Sequence, residues 1–583
     1  LINGNRARRA YIPDVLDDPR DAGPGDVRVA ETADLPVATP PLRPWIDGGP
    51  AEAEGPEVEC IDPSVGEAFA HVRCAGPADV DRAVRAAVFS APLWRSTPAA
   101  ERKARLFALA ERVRTESRDI AALISLEQGK PLTEALALEV LPALDHLVFL
   151  AEEATRLQLG ESIEPRHPFW AHKDAHWLYD PLGVVALVTS SSIPFAQPLI
   201  QTAAALSMGN SVVLKPSELT PLSGLRIGEL CAAAGIPKGI VNVLPALPEE
   251  TLRLVAHPQV AKVFVTGTLE AGQHVMVTAG CAPRPVVLSL GGKHPSLVAA
   301  DADLDRAARG IAWGALANAG QHCGSVERVY VEEGAAAPFL DRLVAEVESL
   351  RMGPPAETGT DIGPLVSEAR RRRVHAQVED AVARGAKVLT GGILPSGPGY
   401  YYPPTVLLGA PPEAAVVRDE SSGPLIPVVV VESVERAILL ANEGDHALTA
   451  SGWTRSAETA ARIQIGLQAG VVTINDVLYS YDEPAATWSG FRASGVGHVH
   501  GLAGLKEMSR RKFVSSDAAE LEGPLFAFPY DETARAIASG AVEALHAPGL
   551  GRRTAALARL IRAARFRGRV PWKGLTMGRR RGR

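Results

Sequence analysis

A run of about 18 consecutive apolar residues, the length a membrane-crossing helix needs, occurs nowhere in this chain of 583 residues, because Ser, Pro, Gln and charges interrupt every apolar stretch. Cysteines are few: Cys60, Cys74, Cys231, Cys281 and Cys323 are scattered, odd in number and without CxxC spacing. That set gives neither a disulfide framework nor a zinc-ligand pattern, so no metal site is expected and a reducing, cytoplasmic compartment fits best. No unit of about 20–50 residues repeats, which argues against a solenoid or propeller. Residues 1–45 lack the apolar centre of a signal peptide; they mix Arg with Asp and Glu, are rich in Pro and Gly, and read as a mobile tail.

What is present is the balance of a globular protein, 46% hydrophobic and 22% charged, with room for two or three domains. Charge is uneven. Residues 551–583 hold twelve Arg or Lys and no acid, so the remaining 48 basic and 67 acidic residues leave positions 1–550 at −19.

Helical spacing begins at Pro77, with Val80, Ala83, Val84, Ala87 and Val88 on one face, and three or four helices precede the first buried strand. From Gly183 the pattern becomes short β-branched runs alternating with helices: 183–189, 211–214, 240–244 and 262–266 as strands, with helices near 195–206, 222–234 and 249–256 between them. A second series follows, with strands at 285–290, 296–299, 328–331, 405–408, 426–431, 449–453 and 471–474. Strands repeating at βαβ spacing imply parallel, doubly wound sheets that bind ligands at their carboxyl ends. Two α/β domains in series make the cleft between them the expected active site.

Cys323 is set among small and polar residues, Asn318-Ala-Gly-Gln-His-Cys-Gly-Ser325, just before a strand. Gly320 and Gly324 would let a substrate approach a thiol closely. Two stretches look built for a nucleotide: Val212-Val-Leu-Lys-Pro-Ser-Glu218, where Lys215 and Glu218 follow a strand, and Val265-Thr-Gly-Thr-Leu-Glu-Ala-Gly272, where a strand runs through Gly267 and Thr268 into a helix whose free N–H groups suit a pyrophosphate.

From about Asp62 to Val514 the chain resembles the aldehyde dehydrogenase superfamily. The landmarks are Pro181-Leu-Gly-Val-Val-Ala-Leu-Val-Thr, Lys215-Pro-Ser-Glu, Val265-Thr-Gly-Thr, Leu290-Gly-Gly-Lys293, Gly320-Gln-His-Cys323, Asp361-Ile-Gly-Pro364, Glu420-Ser-Ser-Gly-Pro424 and Ala493-Ser-Gly-Val-Gly497. The resemblance implies an NAD(P)-binding domain at 46–291, a catalytic domain at 292–508, and a small β oligomerisation element from a 168–180 hairpin and a 509–518 strand. Residues 519–583 form a C-terminal extension, basic from 551. It implies that Cys323 attacks an aldehyde and that a thiohemiacetal and then a thioester follow. Lys215 and Glu218 would hold the adenosine ribose, Gly267, Thr268 and Gly272 the pyrophosphate region, and Glu420 the nicotinamide ribose. A carboxylate facing the ribose hydroxyls favours NAD over NADP. A homodimer or homotetramer is implied, and no nucleic-acid partner is expected.

The departures are specific. Ser192 stands where the family has the oxyanion-donating Asn, Ser289 replaces the Glu that activates water, Ser422 replaces a Phe, and Pro-Phe-Gly-Gly has become Thr487-Trp-Ser-Gly490. Losing an oxyanion donor costs about 10²–10³ in rate and losing a general base about 10²–10⁴. His322 adjoins Cys323 as a candidate substitute base, although a neighbour in sequence often points elsewhere. Three readings follow: an NAD-dependent aldehyde dehydrogenase, a CoA-acylating one that needs no activated water, or an NAD-binding scaffold that has lost turnover. In the tail, Leu557, Leu560, Ile561 and Ala564 form one apolar face beside Arg559, Arg562 and Arg565. That face either packs on the acidic body of the protein's own oligomer or lies on an anionic membrane surface, which would make the protein peripheral there.

Overall fold

The computed structural model describes residues 42–166, 170, 172–517, 528 and 530–566. The β-branched runs become strands buried along their length, as strands covered on both faces must be: every residue of Val184–Val188 and of Ser211–Lys215 is buried. They belong to an eight-stranded sheet in the order Gly49–Pro50, Trp45–Ile46, Val241–Val243, Ser211–Lys215, Val184–Val188, Val260–Gly267, Val286–Leu290, Gly495–Val496. The central five are parallel and the outer pairings antiparallel. The second sheet has seven strands, in the order Lys387–Thr390, Thr405–Leu408, Leu425–Val431, Arg328–Glu332, Pro295–Val298, Thr449–Trp453, Val471–Ile474, with one antiparallel edge at Lys387–Thr390. The expected α/β class with two doubly wound sheets is the observed one.

Four expectations change. Residues 42–45, read as part of the 1–45 tail, belong to the fold: Leu42 bridges Val72, and Trp45 pairs with Val243 and packs on Gly228. The rest of that tail lies outside the described residues. A hairpin, Glu57–Asp62 with Glu67–Arg73, precedes the helices and buries Cys60, Ala70 and Val72 between more exposed residues. Gly495–Val496, inside the span assigned to the catalytic domain, returns to the first sheet. The hairpin expected at 168–180 has its first arm earlier. Glu161–Ile163 pairs with Lys173–Pro181, which pairs along its full length with Ser509–Asp517.

Part of the tail's apolar stripe is covered within the extension itself. Helices Glu532–His546 and Leu550–Phe566 pack on each other, burying Ala556 and Leu560 against Ala534, Ile537 and Ala541 while Leu557 stays exposed. The basic stretch beyond lies outside the described residues. Among the described residues no helix is long and apolar enough to cross a membrane.

Between the first sheet and its covering helices lies Ala196–Ser207, buried at all twelve positions. A buried helix needs its first N–H groups satisfied without water. Glu139 does this: its Oε2 accepts from Phe195 N–H at 2.8 Å and Ala196 N–H at 3.0 Å, while its Oε1 pairs with Lys130. Both side chains are at most 1% exposed. Two neighbours on the same segment act alike. Glu127 accepts from Leu222 N–H, Ser223 N–H and the Ser223 hydroxyl at the start of helix Pro221–Ala233, and Glu134 accepts from Asn318 N–H at 2.8 Å.

Removing one partner of a buried ion pair strands the other charge, at a cost of about 3–5 kcal/mol. Glu139→Ala should lose that much unfolding free energy in urea, whereas Glu111→Ala, in an exposed pair with Arg114, should leave the midpoint unchanged. Equal midpoints for the two variants would remove Glu139 from the account.

Candidate active site

In the first sheet the chain moves outward from Val184–Val188 to Ser211–Lys215 and Val241–Val243, then returns to the other side of Val184–Val188 with Val260–Gly267. The reversal opens a crevice at the carboxyl ends of Val184–Val188 and Val260–Gly267, where such sheets take their ligands. The loop Thr189–Pro194 and the residues Gly267–Thr268 border it. Thr268 is the N-cap of helix Leu269–Gly280, its hydroxyl accepting from Ala271 N–H at 3.3 Å. Over Gly267 the space is open, since an added β-carbon would meet only Ala271 Cβ at 3.8 Å. Lys215 ends the next strand, its Nζ 2.8 Å from Glu218 Oε2, and Glu218 is 41% exposed at the crevice side. Open space beside a capped helix start, with a lysine and a half-exposed carboxylate one strand away, fits a dinucleotide. Gly272 does something else: a β-carbon there would lie 2.6 Å from Leu290 Cδ1, so this glycine lets the helix pack on the sheet and does not face the crevice.

Helix Leu304–Leu316 ends in three successive left-handed residues, Asn318 (φ 56°), Ala319 (φ 51°) and Gly320 (φ 74°). For Ala319 this costs about 1–2 kcal/mol, and the surroundings hold it in place. Asn318 N–H binds Glu134, Asn318 Nδ2 donates to the Ser192 carbonyl at 3.0 Å, and Val366 N–H binds Gln321 Oε1 at 2.9 Å. The Asn318–Ser192 bond ties the cysteine turn to the loop that leaves the crevice strand. Gly320 is required twice, by its φ and because a β-carbon would sit 2.2 Å from the Gly423 carbonyl oxygen. This close approach brings Cys323 beside the Glu420–Pro424 loop.

That loop is fixed from below. Glu327 accepts from Ser421 N–H at 3.1 Å and Ser422 N–H at 3.0 Å, and Lys293 Nζ binds both Glu327 (2.6 Å) and the Ser421 hydroxyl (2.9 Å). The Ser422 hydroxyl donates to Glu420 Oε1 at 2.6 Å. Burial, and then the Glu327 charge, raise the Glu420 carboxyl above its ordinary range.

Cys323 is half-buried against the apolar cluster of the first domain. Burial pushes its thiol up to about 12; its own backbone N–H and the Lys130 charge pull downward, and the Glu420 charge adds to the rise. His322 is not a base for this thiol. Its Nδ1 accepts from Gly324 N–H at 3.0 Å, its ring packs edge-on against Tyr481 at 5.2 Å, and burial followed by the Lys130 and His294 charges lowers it to about 3. Ser289, in strand Val286–Leu290 between Thr266 and Gly495, carries a hydroxyl where the resemblance expects a carboxylate.

Residues that motif reading passed over complete the site: Lys130, Glu134, Glu139, Tyr481 and the Asn318 side chain. For Lys130, Glu134 and Glu139 the one signal was charge in an apolar setting, as in Leu132-Thr-Glu-Ala-Leu-Ala-Leu-Glu-Val140, whereas Tyr481 and the Asn318 side chain gave none.

A half-buried thiol and a crevice that fits a dinucleotide, carried on two doubly wound α/β sheets, point to a dinucleotide-dependent oxidoreductase. The profile of the aldehyde dehydrogenase family matches residues 51–514. Betaine aldehyde dehydrogenase of Rhizobium etli is 34% identical over 491 residues, covering 84% of this chain and 99% of the relative. Lactaldehyde dehydrogenase of Escherichia coli is 33% identical over 459 residues, covering 78% and 94%. Among solved structures, the NAD-dependent aldehyde dehydrogenase from Sinorhizobium meliloti superposes with a TM-score of 0.79 at 33% identity, over 83% of this chain and 96% of that one. The chain belongs to the aldehyde dehydrogenase family, whose members oxidise aldehydes with NAD or NADP.

A thiol pushed to about 12 is protonated at neutrality, and its anion fraction grows about tenfold per pH unit. Iodoacetamide labelling of Cys323, followed by peptide mass spectrometry, should therefore accelerate by about that factor per unit from pH 7 to 10 without a plateau. A plateau below pH 9 would show a thiolate stabilised in the free protein.

Proposed function

We propose that this protein oxidises an aldehyde with NAD, using Cys323 as the nucleophile. The observation that carries this reading is the Asn318–Ser192 hydrogen bond, which fastens the cysteine turn to the loop at the mouth of the crevice. Lys215 and Glu218 hold the adenosine ribose, Gly267 and Thr268 the pyrophosphate, and Glu420 the nicotinamide ribose. When bound, the dinucleotide accepts the hydride that leaves the substrate carbon. The Cys323 sulfur forms a bond to the aldehyde carbon, and after the oxidation an acyl group remains on that sulfur as a thioester. Gly320 lets the cysteine turn close on Gly423, and Gly324 leaves room for the Trp488 ring beside the sulfur, so the open approach expected of these glycines is not what they provide.

Release of the acyl group is where this chain departs from its relatives. Ser289 lacks a carboxylate, and the carboxylate whose charge Cys323 feels is Glu420. Water activated there, or a thiol such as coenzyme A that needs no activation, completes the cycle. Mixing the protein with NAD and a panel of aldehydes, with and without coenzyme A, separates these outcomes. Steady NADH formation without the thiol supports hydrolysis, and formation only with it supports acyl transfer. Absence of any burst alongside measurable NAD binding would mean a scaffold and overturn the proposal.

The Glu218 carboxylate stands where a 2′-phosphate would repel it, which supports NAD over NADP. Glu218→Gln should raise the ratio of NADP to NAD use at least about tenfold, because Lys215 is then free to meet the phosphate. An unchanged ratio would remove Glu218 from cofactor choice.

A homodimer or homotetramer is supported by strand Ser509–Asp517. It is exposed over most of its length, one edge is unpaired among the described residues, and Phe513 is 55% exposed. Phe513→Lys should lower the solution mass measured by light scattering; the wild-type mass retained would place the interface elsewhere.

A further inference from the structure

Two aromatic side chains hold the residues on either side of the nucleophile. The Tyr481 ring packs edge-on to His322 at 5.2 Å, and Trp488 covers Gly324 so closely that a β-carbon there would lie 2.8 Å from its Cη2. Tyr481 and Trp488 meet in a T-shaped contact at 5.4 Å. Both are fixed through the backbone of one short helix, Tyr479–Asp482. Trp488 Nε1 donates to the Ser480 carbonyl at 3.0 Å, and His146 Nε2 lies 3.3 Å from the Tyr481 carbonyl. Tyr481 is 2% exposed, and its hydroxyl has no hydrogen-bond partner among the described residues.

A buried phenol without a partner is a cost to the fold, and buried polar groups are otherwise almost always paired. The arrangement is explained if the partner is a group that exists only during the reaction. We propose that the Tyr481 hydroxyl is the hydrogen-bond donor to the negative charge that forms at Cys323, first on the thiolate sulfur and then on the oxygen of the aldehyde that the sulfur attacks. In that step the thiol proton leaves to solvent. The sulfur pair then forms the C–S bond, and the carbonyl π pair moves onto oxygen as an alkoxide. The Tyr481 proton stays on its own oxygen throughout. Burial, and then the Cys323 charge, hold the phenol well above its ordinary value, so it remains a donor when the sulfur is charged. Lys130 is committed to Glu139, and the Ser192 carbonyl is already taken by Asn318. The Tyr481 hydroxyl thus makes Tyr481 a catalytic residue for the proposed oxidation, and the inference rests on Cys323 being its nucleophile.

Tyr481→Phe removes the hydroxyl and keeps the ring. In a Cys281→Ser background, which removes the one exposed thiol, three quantities are compared with and without the substitution. These are the rate of Cys323 alkylation by iodoacetamide at pH 8, the rate of the first NADH turnover, and the melting temperature. The inference expects alkylation slowed about tenfold and the first turnover slowed about 10²-fold, with a melting temperature equal or higher. Unchanged alkylation and turnover would overturn it. Slowing accompanied by a melting temperature lowered by many degrees would assign the effect to packing and would also overturn it. A wild-type protein that gives no first turnover would defeat the aldehyde chemistry alone, since alkylation still decides whether the hydroxyl serves the Cys323 anion.

Discussion

The carboxylate of Glu139 cannot be left alone in the interior, and satisfying it organises both halves of the site. Its two oxygens answer the Lys130 ammonium and the first N–H groups of a helix that is buried at every residue. That helix begins directly after Thr189–Pro194, the loop at the mouth of the crevice. Glu134, on the same segment, holds Asn318 at the start of the cysteine turn, and Glu127 holds the next helix of the cofactor sheet. Three glutamates on one stretch, Glu127 and Glu139 buried and Glu134 half-buried, therefore set the crevice side and the Cys323 side in a common frame. Burying carboxylates is tolerable because each accepts from backbone N–H groups that would otherwise lack partners.

Within that frame the chemistry at Cys323 is a contest of environments. The apolar packing that positions the thiol also raises its pKa, and the favourable contributions, its own N–H and the Lys130 charge, do not reverse the rise. A thiolate in such a setting depends on donors that act on the anion. The left-handed turn at Asn318–Gly320, the glycine contact with Gly423 and the aromatic pair around His322 and Gly324 are the means by which several distant segments converge on one sulfur. Local backbone strain persists at Ala319 because hydrogen bonds from three other segments define the turn.

The β-branched runs announced both sheets because parallel strands covered on both faces must be apolar throughout, and Val184–Val188 or Val212–Leu214 admit no other reading. Cys323, Lys215, Glu218 and Gly267 stood out as local motifs and Glu420 only through the family resemblance, and the fold brings Cys323 and Glu420 together across the Gly320–Gly423 contact. The Glu57–Arg73 hairpin was passed over although Cys60, Ala70 and Val72 alternate with more exposed residues, because its strands are short and rich in charge. Gly495–Val496 joins a sheet formed far earlier in the chain, a pairing that no local pattern encodes. His322 misled by adjacency: the tight turn at Gly324 directs its ring onto Tyr481 and consumes its Nδ1. Gly272 looked like part of a phosphate loop but serves helix-on-sheet packing. Tyr481 carries no motif at all, and only the folded chain places it against the neighbour of Cys323.

The central claim is that Cys323 carries the acyl group during aldehyde oxidation. Intact-protein mass spectrometry of an acid-quenched mixture of protein, NAD and excess aldehyde tests it most directly, with peptide mapping to locate any adduct. The account predicts a mass gain equal to the acyl group of the aldehyde supplied, confined to Cys323 and absent from Cys323→Ala. NADH formation without any adduct on Cys323, or its persistence in Cys323→Ala, would contradict it.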